Sequence, residues 1–507
     1  MKKTKAIAVF GTGSDVGKSI VAAAICRSLA DRGIKVAPFK AQNMSNNSGI
    51  TPQGLEMGRA QIVQAEAAGI VPHVDMNPVL LKPTGEKGSQ VILNGKAFKN
   101  CTAIDYYDNK RSLFNEACMA YDRLSARFDS IVLEGAGSCA EVNLMPLDIV
   151  NFRMAAYANA DVILVADIDR GGVFGQIVGT LECLPEKYKN MIKGFIINRF
   201  RGDISLFKDG VDWIEKKTGK DIFGVLPWYN HFRIDAEDSV EIEKCQSISS
   251  SIDNSKPAIG VVRLPHISNF TDFHALSKME NLQLFFIEDP MDFFRFRNMF
   301  QAMIIPGSKN TRMDMLWLKS TGWDKIIKEY AGSSAGHVLG ICGGFQMLGA
   351  YVDDPHGMED KPGKTRGLGL LPVRTIIKYP KTTTLSSFSW DGLPGEGYEI
   401  HMGYTERIKG AALFKVSTRN KEQCNDFDGC ITDDKKIAGT YMHGLFNSTG
   451  IRDKWLDIIG VKDIESNEKK DDTNGISGKD KEYALLKEHF EKYVDFQKIM
   501  TATGIQI

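Results

Sequence analysis

Two short stretches of this 507-residue chain carry side chains whose type and spacing can do chemistry. AVFGTGSDVGKS (8–19) runs from an apolar strand through glycines to Lys18 and Ser19. In that setting, between strand and helix, the loop around Gly13 and Gly17 turns backbone N–H groups inward, and the helix N-terminus adds partial positive charge for phosphate. Lys18 is placed to reach the outer phosphates of ATP, and the Ser19 hydroxyl to ligate Mg²⁺. The spacing departs from the usual phosphate loop, because Thr12 stands where the first glycine belongs. A metal-nucleotide site also needs a carboxylate at a strand's carboxyl end. Glu134, closing SIVLE, is the first candidate, with Asp167 and Asp169 after VILVA the second. The polar loop PFKAQNMSNNSG (38–49) brings Lys40, Gln42 and Asn43 to the same crevice, suited to steady a carboxylate or its phosphorylated form.

The second stretch is LGICGGFQMLG (339–349). A cysteine between glycines, on a turn from strand to helix, has the layout of a nucleophile elbow. Glycines are required there because the nucleophile's backbone is strained and its neighbours approach closely. The thiol of Cys342 would sit at a helix N-terminus, whose partial positive charge suits an anionic nucleophile. The Gly343 amide is placed to stabilise an oxyanion, and the loop PGSKN (306–310) offers a second donor from Gly307 or Ser308. A thiol nucleophile needs a base. His443 in GTYMHGLF and His401 in GYEIHMG both qualify on these grounds.

Elements that position such groups are legible as alternating apolar runs and helix-length segments. AIAVF (6–10), IVLE (131–134), DVILVAD (161–167) and GFIINRF (194–200) read as strands buried on both faces of a parallel sheet. Helical segments are expected over 17–32, 53–69 and 110–127. A second series, AIGVVRL (258–264), QLFFIED (283–289), AMIIPGS (302–308) and HVLGIC (337–342), follows a polar, serine-rich stretch. The expected class is therefore α/β, a doubly wound P-loop domain followed by a second α/β domain. The boundaries read as a first domain over 1–240, a linker over 241–257 and a second domain over 258–464. A mobile charged loop over 465–482 and a closing amphipathic helix over 483–507 complete the chain.

Composition narrows the class further. Lys plus Arg and Asp plus Glu both total 63, so no global field recruits nucleic acid or an anionic membrane. No apolar run is long enough to span a bilayer. Nine cysteines without a C-x-x-C pair, and no recognisable secretion signal, point to a reduced, cytoplasmic enzyme. Oligomeric state is not legible.

The phosphate loop G-T-x-[ST]-x-V-G-K-[ST] resembles the dethiobiotin synthetase group of P-loop proteins. Glu134 matches that group's metal-site glutamate and Asn198, ending GFIIN, its base-reading asparagine. CGGFQMLG followed about a hundred residues later by GTYMHGLF resembles the flavodoxin-like glutaminase domain of class I amidotransferases. That resemblance gives the base role to His443 rather than His401. Many members of the group carry an orienting acid two residues beyond the histidine. Leu445 stands there, as in the cobyrinic and cobyric acid amidating branch with its Cys–His pair alone; Glu399 is a candidate substitute. The blocks KAQNMSNNSG, EMGRAQ, MNPVLLKP, ADIDRGGVFGQIVGT and INRFRGD add a resemblance to the cobyric acid synthase family. It implies ATP- and glutamine-dependent amidation of the b, d, e and g carboxylates of a corrinoid, through acyl phosphate and internally released ammonia. The alternatives are an a,c-diamide-forming ligase, or a nucleotide-dependent switch ATPase with an inactive amidotransferase domain.

Overall fold

A computed structural model describes residues 4–84, 88–229, 231, 234, 252–462 and 478–506. The amide-rich loop and both glycine turns lie within these residues. Of the expected linker only 252–257 is described, and of the charged loop only 478–482.

Six strands, all parallel, form the first sheet. Its order is Asp221–Pro227, Ile192–Phe200, Asp161–Asp167, Lys5–Gly11, Ser130–Glu134 and Val36–Phe39. The central strands are buried along nearly their whole length, as continuous Val, Ile, Leu and Ala runs require when helices cover both faces. The helix Lys18–Ala30 leaves the central strand through Gly17, whose φ of 97° lies in the left-handed region. A side chain there would also strike Asn198, whose Nδ2 lies 2.1 Å from the position of a Cβ. Glycine is thus demanded twice over.

The second sheet runs Gln283–Ile287, Ala258–Val262, Phe300–Ile305, His337–Ile341 and Ile437–Thr440, all parallel, with Cys430–Ile431 antiparallel at one edge. The class is α/β in both halves. Between the helix after Cys342 and the last parallel strand, the chain builds two four-stranded sheets that the apolar-run pattern does not reveal. One of them, antiparallel throughout, has the order Leu393–His401, Thr382–Trp390, Phe414–Arg419 and Glu422–Asp428. Its strands Thr382–Trp390 and Phe414–Arg419 alternate buried with more exposed positions over part of their length, so they lack the continuous runs that mark parallel strands.

Two helical expectations change. The segment 53–69 is helical only over Arg59–Ala67, because Glu56–Gly58 pairs antiparallel with Ser48–Ile50. The terminal segment is two helices, Gly478–Tyr493 and Phe496–Thr503, rather than one. Val494 bridges to Gly224 between them, and Asp495 caps the second by accepting from the Lys498 amide. Residues 478–482 therefore belong to a helix and not to a charged loop. Both helices return to the first domain, where Leu486, Phe490, Ile499 and Met500 share a core with Ile7, Val9 and Val21. Ion pairs Arg32–Glu491 (2.6 Å) and Lys487–Asp31 (2.8 Å) fasten the outer edge.

The two halves are docked through polar contacts. Thr383 Oγ1 donates to the Gly54 carbonyl (2.9 Å), and Asn310 Nδ2 to the Thr84 carbonyl (3.1 Å). Between them, the buried Glu56 carboxylate takes ion pairs from Lys82 and, across the interface, from Lys381. Burial opposes its charge, but these two ammonium groups hold its pKa far below the usual carboxylate range.

Candidate active site

The carboxyl end of the first sheet forms a cavity of about 1020 Å³ lined by Lys18, Ser19, Lys40, Gln42, Asn43 and Glu134, among others. Such crevices at the strand ends are where open α/β sheets place ligands. Glu134 is the hub. Its Oε1 accepts from Ser19 Oγ (2.8 Å) and Lys40 Nζ (2.9 Å), while Oε2 accepts from Gln61 (3.3 Å) and Gln64. Burial works against the carboxylate's charge, yet Lys40 and these donors lower its pKa, so it stays ionised. Gln61 and Gln64 are functional neighbours that motif reading passed over. The sequence showed only two amides three residues apart, placed on one helix face; their complete burial is visible in the structure alone.

Lys18 Nζ donates to the carbonyls of Gly13 and Gly137, both at 2.9 Å. Asn198 is buried and its Nδ2 donates to the Val16 carbonyl (2.9 Å), so this side chain braces the phosphate loop from the side. Gln42 takes a hydrogen bond from Tyr106, and Asn43 donates to Gln61 (3.2 Å). The two reserve acids are committed elsewhere: Asp167 to Arg199 (2.8 Å) and Asp169 to Arg201 (2.5 Å).

At the carboxyl end of the second sheet, Cys342 adopts φ 52° and ψ −106°, a strained conformation for a residue with a side chain. Its neighbours must be glycines. A Cβ on Gly344 would lie 1.9 Å from the Ile305 carbonyl oxygen, and one on Gly343 would lie 2.8 Å from the Ser308 amide nitrogen. The Gly307–Ser308 loop is thereby pressed against the elbow. On its other side, His443 Cε1 comes within 3.3 Å of where a Gly307 Cβ would stand.

His443 is fully buried and its Nδ1 lies 2.7 Å from Asp272 Oδ2; Asp272 Oδ1 accepts from the Gly444 amide (2.8 Å). Nε2 makes no conventional hydrogen bond and is left to the Cys342 thiol beside it. Burial depresses the imidazolium, but the Asp272 carboxylate and the Cys342 sulfur outweigh it and raise the pKa to about 10. Tyr398 stacks on the ring at 5.2 Å between centroids and fixes its plane. The arrangement can hold a thiolate–imidazolium pair, attack an acyl carbon and protonate a leaving amine.

Two expectations fail here. Glu399 does not orient His443. Its carboxylate is engaged by Arg419 (2.9 Å) and Ser386 (2.9 Å), and lies 3.6 Å from His401. Nor is the centre a bare Cys–His pair, since Asp272 supplies the third member. Asp272 arrives on the short turn Phe270–Phe273, beyond the strand Ala258–Val262. The one signal in the sequence was the acid missing at Leu445, which leaves the orienting place open to an acid from another strand-end loop of the same sheet.

A polar seam joins the two centres. The loop that carries Lys40 and Asn43 continues to Asn47, whose Oδ1 accepts from Thr271 Oγ1 (3.3 Å), and to Ser48, whose amide donates to Asn269 Oδ1 (3.3 Å). Thr271 is the residue next to Asp272.

Comparison with known proteins agrees with this two-centre layout. A model of the CobQ/CobB/MinD/ParA nucleotide binding domain matches residues 7–241, and one of the CobB/CobQ-like glutamine amidotransferase domain matches 258–451. A cobyric acid synthase of Chlorobium phaeobacteroides (strain BS1) is 48% identical, over 98% of this chain and 99% of the relative. The chain belongs to the cobyric acid synthase family. Similar family members are those of Chlorobaculum tepidum, 45% identical over 99% of this chain and 98% of the relative, and of Syntrophobacter fumaroxidans, 42% identical over 99% of each. As a member of the family the chain is an ATP-dependent ligase that takes its nitrogen from glutamine. Residues 7–241 form its nucleotide-binding half and residues 258–451 its amidotransferase half. Among the described residues, no helix is long and apolar enough to cross a membrane.

Proposed function

We propose that this chain converts the b, d, e and g carboxylates of adenosylcobyrinic acid a,c-diamide to amides, yielding adenosylcobyric acid. What carries the reading is the presence, in one docked chain of this family, of an acid-activating crevice and a Cys342–His443–Asp272 centre joined by a polar seam.

A corrinoid carboxylate oxygen attacks the γ-phosphorus of ATP, ADP leaves, and an acyl phosphate forms. Lys18 and Lys40 offset the charge that gathers on the transferring oxygens. Mg²⁺ fits this crevice, because Ser19 Oγ and the ionised Glu134 carboxylate are hard oxygen donors 2.8 Å apart. When bound there, the ion neutralises phosphate charge. In the other half, Cys342 attacks the side-chain amide carbon of glutamine, with the Gly343 amide and the Gly307–Ser308 loop facing the oxyanion. His443 gives its proton to the departing nitrogen, ammonia leaves, and water releases glutamate from the thioester. Ammonia crosses the seam and displaces phosphate from the acyl carbon, leaving an amide. Incubation with ATP, Mg²⁺, glutamine and the corrinoid diamide is expected to give a product carrying four further amides by mass spectrometry. Two amidations, or none, would refute the assignment.

Asp272 has a measurable role in this scheme. With His443 held near 10, its proton is retained across neutral pH and lost only as pH rises through that value. Asp272→Asn removes the carboxylate that keeps the proton there. Glutaminase kcat is expected to fall by about 10²- to 10⁴-fold, and the alkaline limb of its pH profile to move to lower pH. An alkaline limb that stays in place would show that Asp272 does not act through His443.

A further inference from the structure

The crevice has a wall that phosphate chemistry does not use. Beyond Lys18, Ser19 and Glu134 its lining includes large apolar side chains, Met44 on the amide-rich loop and Leu144 and Met145 on the segment after the strand Ser130–Glu134. Met44 is 55% exposed and Leu144 40%. Large apolar side chains gathered at a cavity mouth mark a surface that takes an apolar ligand. The same lining holds Lys110, with Asp148 near it, and, contributed by the second domain, His274 and Lys278.

Resting on the function proposed above, we propose that Met44, Leu144 and Met145 form the seat for the ring face of the corrinoid, with Lys110 and Lys278 facing its rim carboxylates. The chemistry of the substrate fits both parts. A corrin is a broad apolar plate with carboxylate and carboxamide arms around its edge, and the reacting arm must reach Lys40 and Glu134 at the cavity floor. Four arms must be presented there in turn. A directional polar clamp would fix one orientation of the plate and favour one arm. Apolar contact is non-directional, and unbranched methionine adapts its shape to what lies on it, so the plate is held while its rotation stays free. Cationic rim groups attract whichever arms are still carboxylates and lose that attraction as each becomes an amide.

The test is equilibrium binding of the corrinoid a,c-diamide, alongside product analysis under turnover. The triple variant Met44→Ser, Leu144→Ser and Met145→Ser is expected to raise the corrinoid Kd by roughly tenfold or more, because three apolar contacts are lost together. Partially amidated intermediates should then accumulate free in solution. Met44→Leu with Met145→Leu should restore binding, and an unchanged unfolding midpoint would show that the serine variant is folded. Equal corrinoid Kd for the wild type and the folded serine variant would overturn the seat, whatever the enzyme makes. A wild type that binds the diamide on these residues but adds no amides would overturn the function while the seat stands.

Discussion

Cys342→Ala is expected to abolish glutamine-dependent synthesis while leaving synthesis from high concentrations of ammonium. The sulfur is the atom that forms the bond to glutamine, and among the described residues no other thiol has its setting. The elbow's positive φ, its two obligatory glycines and the buried His443 converge on this one position. Loss of a covalent nucleophile from a working triad costs roughly 10⁴- to 10⁶-fold in kcat. The acid-activating crevice contains no atom of Cys342, so acyl phosphate formation should continue, and free ammonia entering from solvent can complete it. Glutamate release and corrinoid amidation measured side by side, with each nitrogen source, check the result. A variant that consumes glutamine at the normal rate would refute the nucleophile assignment.

Lys18→Ala should give the reciprocal outcome, with synthesis lost from either nitrogen source. A fixed ammonium on transferring phosphoryl oxygens contributes mainly in the transition state, and removing such a cation typically costs about 10³-fold or more. Lys18 also donates to the Gly13 and Gly137 carbonyls, so its loss slackens the loop that cradles the phosphates. Lys18→Arg should not rescue, because a planar guanidinium is larger and a bidentate donor where a point charge is needed. ADP formation and amide formation should fall together in a coupled assay. If ADP forms at the wild-type rate while amides do not, Lys18 acts after phosphoryl transfer and the assignment fails.

What the sequence determined by itself is the chemistry written in contiguous residues. Strand, glycine turn and helix follow one another within a dozen positions at both GTGSDVGKS and GICGG, so local backbone geometry alone singles out Lys18, Ser19 and Cys342. The parallel strands were equally legible, because burial on both faces demands unbroken apolar runs. Alternating strands of the inserted antiparallel sheet gave no such run, and the short strand before Arg59 is set by pairing with Ser48–Ile50. Tertiary structure alone decided the groups that meet across long separations. Asp272 meets His443 from 171 residues away, Lys40 meets Glu134 from 94, and Lys381 meets Glu56 from 325. The physical reason is common to all three. A charged side chain in a loop reads as solvated surface until packing removes the water around it, and only the partner that the fold then brings near offsets the cost of its burial.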